Sequence, residues 1–198
     1  VGVFEKQRKL PLIVDILDRL FDATDAEYLI YTNVDIAVQP HFYATVNAMI
    51  DGGLDAFVIN RRTISAKFDQ LSEIPLMYAE VGKKHEGYDC FVFRRAVYPK
   101  FQLGNICIGI PRIGRVLLWN VVCHAENFYE FTKKHLTFHI GPGNDNAWQG
   151  DALADFRDHN IAEARHILQT LERSYGPLSE AVKLPFLQNT GKLNERRK

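Results

Sequence analysis

The chain has 198 residues, 46% hydrophobic and 24% charged, an ordinary composition for one globular domain large enough to bury a real core. Its 24 basic and 24 acidic side chains cancel, which argues against nucleic-acid binding through bulk charge. No apolar run approaches the roughly 18 residues that suggest a membrane span. Three cysteines, Cys90, Cys107 and Cys123, stand far apart beside apolar residues. An odd count without paired spacing fits buried thiols in a reducing, cytoplasmic setting better than disulfides or a zinc site. The opening Val1-Gly2-Val3-Phe4 lacks the charged segment and apolar run of a signal peptide, and the missing initiator methionine suggests a fragment or a trimmed chain.

Between Leu10 and Phe21, apolar residues at Leu12, Ile13, Ile16, Leu17 and Leu20 alternate with Asp15, Asp18 and Arg19 in helical spacing, so an amphipathic helix is expected. Tyr28 to Tyr31 is rich in strand-favouring aromatic and β-branched residues. It breaks into Thr32, Asn33 and Asp35, then recovers at Ile36 to Val38 before Pro40. In extended chain Asn33 and Asp35 point to the same side and offer hard oxygen ligands to a cation bridging phosphates. The same residue types also make ordinary strand-ending turns. A helix over 41–50, ended by Gly52-Gly53, and a strand over 55–60, followed by Arg61-Arg62, come next.

From Ser65 to Glu86 the pattern weakens to a short helical piece around Ser72 and Pro75 and an exposed loop at Gly82 to His85. Asp89 to Phe93 reads as a strand capped by Arg94-Arg95. Pro111 suits the first turn of a largely apolar, buried helix over 112–125. A strand over 135–140 runs into a loop rich in Gly, Pro, Asn and Asp, ending at Asn144-Asp145-Asn146. The last helix spans Asp151 to Tyr175, with Asp151 as N-cap and Gly176-Pro177 as its stop. Residues 186–198, including the basic Arg196-Arg197-Lys198, read as a loose polar tail. The order of elements predicts one α/β domain: a layered sandwich with a mixed, mostly parallel sheet flanked by helices.

Polar groups recur at strand ends: Asn33 and Asp35, Asn60 with Arg61 and Arg62, Arg94 and Arg95, and His139 before its loop. If the strands run parallel, these groups gather on one edge, where ligands of open α/β sheets bind. The arginines could meet a phosphate or carboxylate, or simply end their strands in solvent. His139 could supply an imidazole ligand or be a half-buried, satisfied histidine. Trp119 belongs to the apolar helix, whereas Trp148 could stack on a sugar face or anchor its loop. There is no Walker or dinucleotide glycine loop, no Gly-x-Ser-x-Gly elbow, no Cys-x-x-Cys and no His-Glu-x-x-His.

Tyr28 to Val38, with Thr32-Asn-Val-Asp-Ile36 at its centre, resembles the strand and metal-binding segment of GT-A-fold glycosyltransferases, its Asp-x-Asp reduced to Asn-Val-Asp. Gly87 to Arg95, Gly109 to Gly114 and His139 are similar to the later half of such proteins, and the resemblance covers residues 10–150. It implies a hexosyltransferase-like enzyme that moves a sugar from a nucleotide-sugar donor to a hydroxyl acceptor with a divalent metal, Mn2+ or Mg2+. Asp35 and His139 would hold the metal. Asn33, Asp35, Arg61, Arg62, Arg94, Arg95 and Trp148 would face the donor. Pro111 to Asn120 contains no acid where the family places its acceptor-side helix, which leaves Asp89 or Glu126 as the candidate base. The family begins with a strand-helix-strand nucleotide-binding half that nothing before Leu10 supplies. The expectation is therefore a single domain lacking that portion, with a sheet edge that invites self-association. The alternatives are a non-catalytic binding or scaffolding domain that retains the fold, and a metal-independent sugar-phosphate or nucleotide binder.

Overall fold

The computed structural model describes residues 9–85, 87–141, 153–179 and 183. Asp151, Trp148, the Asn144-Asp145-Asn146 loop and the 186–198 tail lie outside the described residues. Two four-stranded sheets form the framework. The first has β1 (Tyr28–Thr32) and β3 (Ala56–Ile59) on either side of β6 (Cys90–Arg94), with β7 (Phe128–Phe131) beyond β3. Cys90 to Phe93 and all of β3 are fully buried, which explains why both segments read as continuous apolar runs. Their period of two splits the interior into two cores. Ala56, Val58, Phe91 and Phe93 pack with the helices α1 (Ile13–Asp22), α4 (Ile113–His124) and α5 (Ala154–Tyr175). Phe57, Ile59, Cys90 and Val92 pack on the opposite face with Phe42 and Val46 of α2 (Phe42–Asp51).

β1 and β3 are both antiparallel to β6, so they run the same way, and β7 is parallel to β3. Three of these four strands therefore share a direction and β6 alone is reversed. The second sheet orders β2 (Ala37–Val38), β8 (Thr137–Ile140), β4 (Arg62–Ile64) and β5 (Lys83–Lys84). Here only β4 and β8 are parallel. The sheets are mixed, as expected, but the mostly parallel pairing is not what forms: among the described residues four of the six strand pairs are antiparallel. The chain passes from the first sheet to the second three times, at 33–36, at 60–61 and at 132–136, and each crossing leaves the first sheet at the same edge.

The Gly82 to His85 loop contains the short edge strand β5, whose exposed lysines are a common way of protecting a sheet edge. The weak stretch after Ser65 holds a 3-10 turn and α3 (Ile74–Ala79), with Pro75 in its first turn. Pro111 falls outside α4, because Arg112 is the N-cap and adopts a left-handed φ of 110°. Two buried asparagines hold irregular segments against the helices. Asn160 of α5 accepts from Cys107 N at 2.8 Å and donates to Cys107 O at 3.0 Å. Asn120 of α4 makes the same pair of bonds with Gln102, at 2.6 and 2.8 Å. No helix among the described residues is long and apolar enough to cross a membrane.

Candidate functional site

Thr32 at the end of β1 and Ile59 at the end of β3 both pair with Cys90, the first residue of β6. This register puts Asn33, Asn60-Arg61 and Asp89 on one edge. Asp89 is 6% exposed, and its Oδ1 takes Arg61 Nη1 at 3.3 Å and Asn33 Nδ2 at 3.0 Å. The Asn33 amide donates to the Asp89 carbonyl at 3.2 Å, and the Tyr31 hydroxyl reaches Asn33 Oδ1 at 3.5 Å. Burial pushes the Asp89 carboxyl above its ordinary range; Arg61, His85 and the Asn33 bond pull it down, and Asp35 adds to the rise. Burial, reinforced by the Asp89 charge, pushes Tyr31 and Cys90 up to about 12. Asp89 Oδ2 and Arg61 Nε are buried without hydrogen-bond partners among the described residues. Such an atom costs about 1–3 kcal/mol, and a ligand that supplies the missing bond recovers it.

Asn33 and Asp35 do not share a side, because residues 33–36 form a turn closed by Ile36 N on Asn33 O at 3.2 Å. Val34 stands fully exposed at its tip. Asn33 turns inward to Asp89. Asp35 turns toward the second sheet, where its Oδ2 lies 3.3 Å from His139 Nε2. His139 Nδ1 lies 2.9 Å from Gly141 O, a carbonyl that can only accept, so Nδ1 carries hydrogen. In the neutral ring the Nε2 lone pair then faces a carboxylate, an arrangement that calls for a proton or a metal ion. A ring nitrogen tied to a backbone carbonyl is also the usual support for a metal-ligating histidine. One carboxylate and one imidazole suit a divalent ion whose remaining positions go to phosphate oxygens and water. Among the described residues no group of three or more His, Cys, Asp or Glu side chains is placed to hold a metal alone.

The other expected residues are elsewhere. Arg62 binds Val81 O at 2.8 Å and Gly82 O at 2.7 Å, which fastens the β4–β5 connection. Arg94 pairs with Tyr28 across the ladder, at the end of the sheet opposite Asp89, and lies 3.5 Å from Glu27. Arg95 donates to Phe21 O at 3.0 Å and covers the Phe21 ring. Glu126 is also at that far end, where its amide donates to Asp55 Oδ2 at 2.8 Å. The physical reason is the reversal of β6, which brings its first residue to the edge and sends its last residues away. Trp148 is outside the described residues.

Four further residues border the edge. A Cβ on Gly87 would fall 2.5 Å from His85 Nε2 and 3.5 Å from Asp89 Oδ2, so glycine leaves room for that ring beside the carboxylate. Tyr88 receives Arg115 Nη1 at 3.2 Å on its hydroxyl and the Arg115 guanidinium 4.6 Å over its ring. Tyr31 was readable from its place two residues before Asn33 on one strand, and Tyr88 from its position next to Asp89. His85 and Arg115 carried no comparable signal, because only folding brings them here.

No family model matches the chain, and no curated protein matches it. Among solved structures it is similar to S. aureus TarS 1-349 in complex with UDP-GlcNAc, at 11% identity and a TM-score of 0.47, over 98% of this chain and 61% of that one. A further structure of S. aureus TarS 1-349 gives 12% identity and a TM-score of 0.40, and one in complex with UDP 12% and 0.39, each over 89% of this chain and 54% of the other. The chain thus spans less than two thirds of the length of these structures.

Proposed function

We propose that the chain carries the metal-side and acceptor-side portion of a glycosyltransferase that uses a nucleotide-sugar donor and a divalent cation. What supports the reading is the cluster of Asn33, Arg61 and Asp89 at the end of the first sheet, the Asp35–His139 pair beyond the turn at 33–36, and two buried polar atoms of that cluster without partners among the described residues. Asp35 and His139 would hold the cation, which when bound offsets the negative charge of a diphosphate leaving group. Arg61, fixed by Asp89, presents its unpaired Nε–H as a further donor to developing negative charge. Asp89 Oδ2 is the candidate base. The acceptor oxygen would bond to the anomeric carbon as the bond to the nucleoside diphosphate breaks, and its proton would pass to Oδ2. Burial, which raises the proton affinity of Asp89, suits that role.

The test is thermal unfolding of the chain with UDP-sugars and GDP-sugars, with and without Mn2+. Stabilisation of about 5–10 °C at a hundredfold excess over Kd is expected only when sugar nucleotide and metal are both present. No shift under any condition overturns the proposal. A shift without sugar transfer in the presence of acceptors favours the non-catalytic binding domain.

A further inference from the structure

A concavity lies at the other end of β2 and β8, away from Asp35 and His139. It is a cleft of about 360 Å³, within the range of small-molecule sites, and His41, Thr45, Tyr78, Lys134 and His135 line it together with Gln39. These residues come from four places: the end of β2, the start of α2, the helix α3 and the segment entering β8. Gln39 is 5% exposed and holds the place together. Its carboxamide nitrogen donates to Tyr78 O at 3.1 Å and lies 3.0 Å from His135 Nε2. Its backbone amide donates to Leu136 O at 2.9 Å. With one amide hydrogen on a carbonyl, the other meets Nε2, so that nitrogen accepts and the ring proton of His135 is on Nδ1.

Among the described residues the lining offers Lys134, His41, His135, Thr45 and Tyr78 as polar groups and includes no carboxylate. Burial disfavours a proton on His135, and the nearby charges of Arg62 and His41 add to that; it is these charges that favour an anion in the cleft. Lysine and histidine act as single-point donors rather than as a flat fork. That suits a tetrahedral phosphate better than the flat, two-pronged carboxylate that arginine prefers. The space also exceeds what a bare ion fills, and Tyr78 and Leu136 add an apolar wall. We infer that this cleft binds a phosphate group, carried as the free ion or as the end of a small organic phosphate, at a site separate from the Asp89 edge.

The experiment titrates the full chain with inorganic phosphate, glucose 6-phosphate and acetate at constant ionic strength, followed by the ring proton signals of His41 and His135. Saturable shifts with one or both phosphates are expected, and glucose 6-phosphate binding tighter than phosphate identifies the organic ester as the fitting form. Lys134→Glu and His41→Ala, both at exposed positions, should each weaken binding about tenfold or more, as expected for loss of a charge-assisted contact. Lys100→Glu, far from the cleft, should leave it unchanged. Absence of saturation, equal binding of acetate, or equal loss in Lys100→Glu overturns the inference.

Discussion

Asp89 has one oxygen committed to Arg61 and Asn33 and the other unpaired, while Arg61 has one nitrogen committed and its Nε open. The side chains are 8% and 10% exposed, so neither charge is well served by water. Removing one partner of a buried pair leaves the other uncompensated, and Arg61→Met should cost about 3–5 kcal/mol at neutral pH. The sign of its pH dependence follows from the direction of the Asp89 shift. A carboxyl whose folded-state proton affinity is raised contributes stability below its unfolded pKa and loses it as pH rises through the folded one. Without Arg61 the rise is larger, so the penalty of the variant should shrink as pH is lowered. Urea unfolding of both proteins at pH 5 and pH 7.5 measures this, and an equal penalty at both contradicts the assignment.

The elements legible in the sequence were those whose own residues decide their state. β3 and β6 are uninterrupted apolar runs, and α1 and α5 show helical spacing over ten and 22 residues. β2, β4 and β5 have two or three residues each and exist because a neighbour supplies the ladder. β7, Phe-Tyr-Glu-Phe, is equally local, with Tyr129 exposed and Glu130 taken up by Asn60 Nδ2 at 3.1 Å. The direction of β6 is likewise a property of the fold, and it sets Arg94 and Arg95 at the end of the sheet opposite Asp89. Asn160 shows how much an irregular segment leans on one helix. Asn160→Ala strips the Cys107 N–H of its partner in a fully buried place, for a loss of about 2–4 kcal/mol. Tm should fall by about 5–10 °C. A loss below about 1 kcal/mol would mean that the 105–111 segment is held by other contacts.

Across the whole molecule, the chain leaves the first sheet for the second at one edge, after β1, after β3 and after β7. The first two crossings deliver polar side chains: Asn33 and Asp35 from one, Asn60 and Arg61 from the other. Asp89 stands just before β6 of the first sheet, and β8 contributes His139 from the second. The inner group, Asp89 with Arg61 and Asn33, is buried and fixed, while the outer pair, Asp35 and His139, faces solvent on the Asp35 side, 56% exposed. This division suits a rigid proton acceptor behind an accessible cation site. Asp35 is thus the residue whose loss should remove function with little effect on the fold. The most direct test is calorimetry of UDP-sugar binding with Mn2+ to the chain and to its Asp35→Ala variant, whose Tm should stay within about 2 °C of the parent. Metal-dependent binding that is present in the parent and abolished in Asp35→Ala is the result predicted; equal affinity in the two proteins would contradict it.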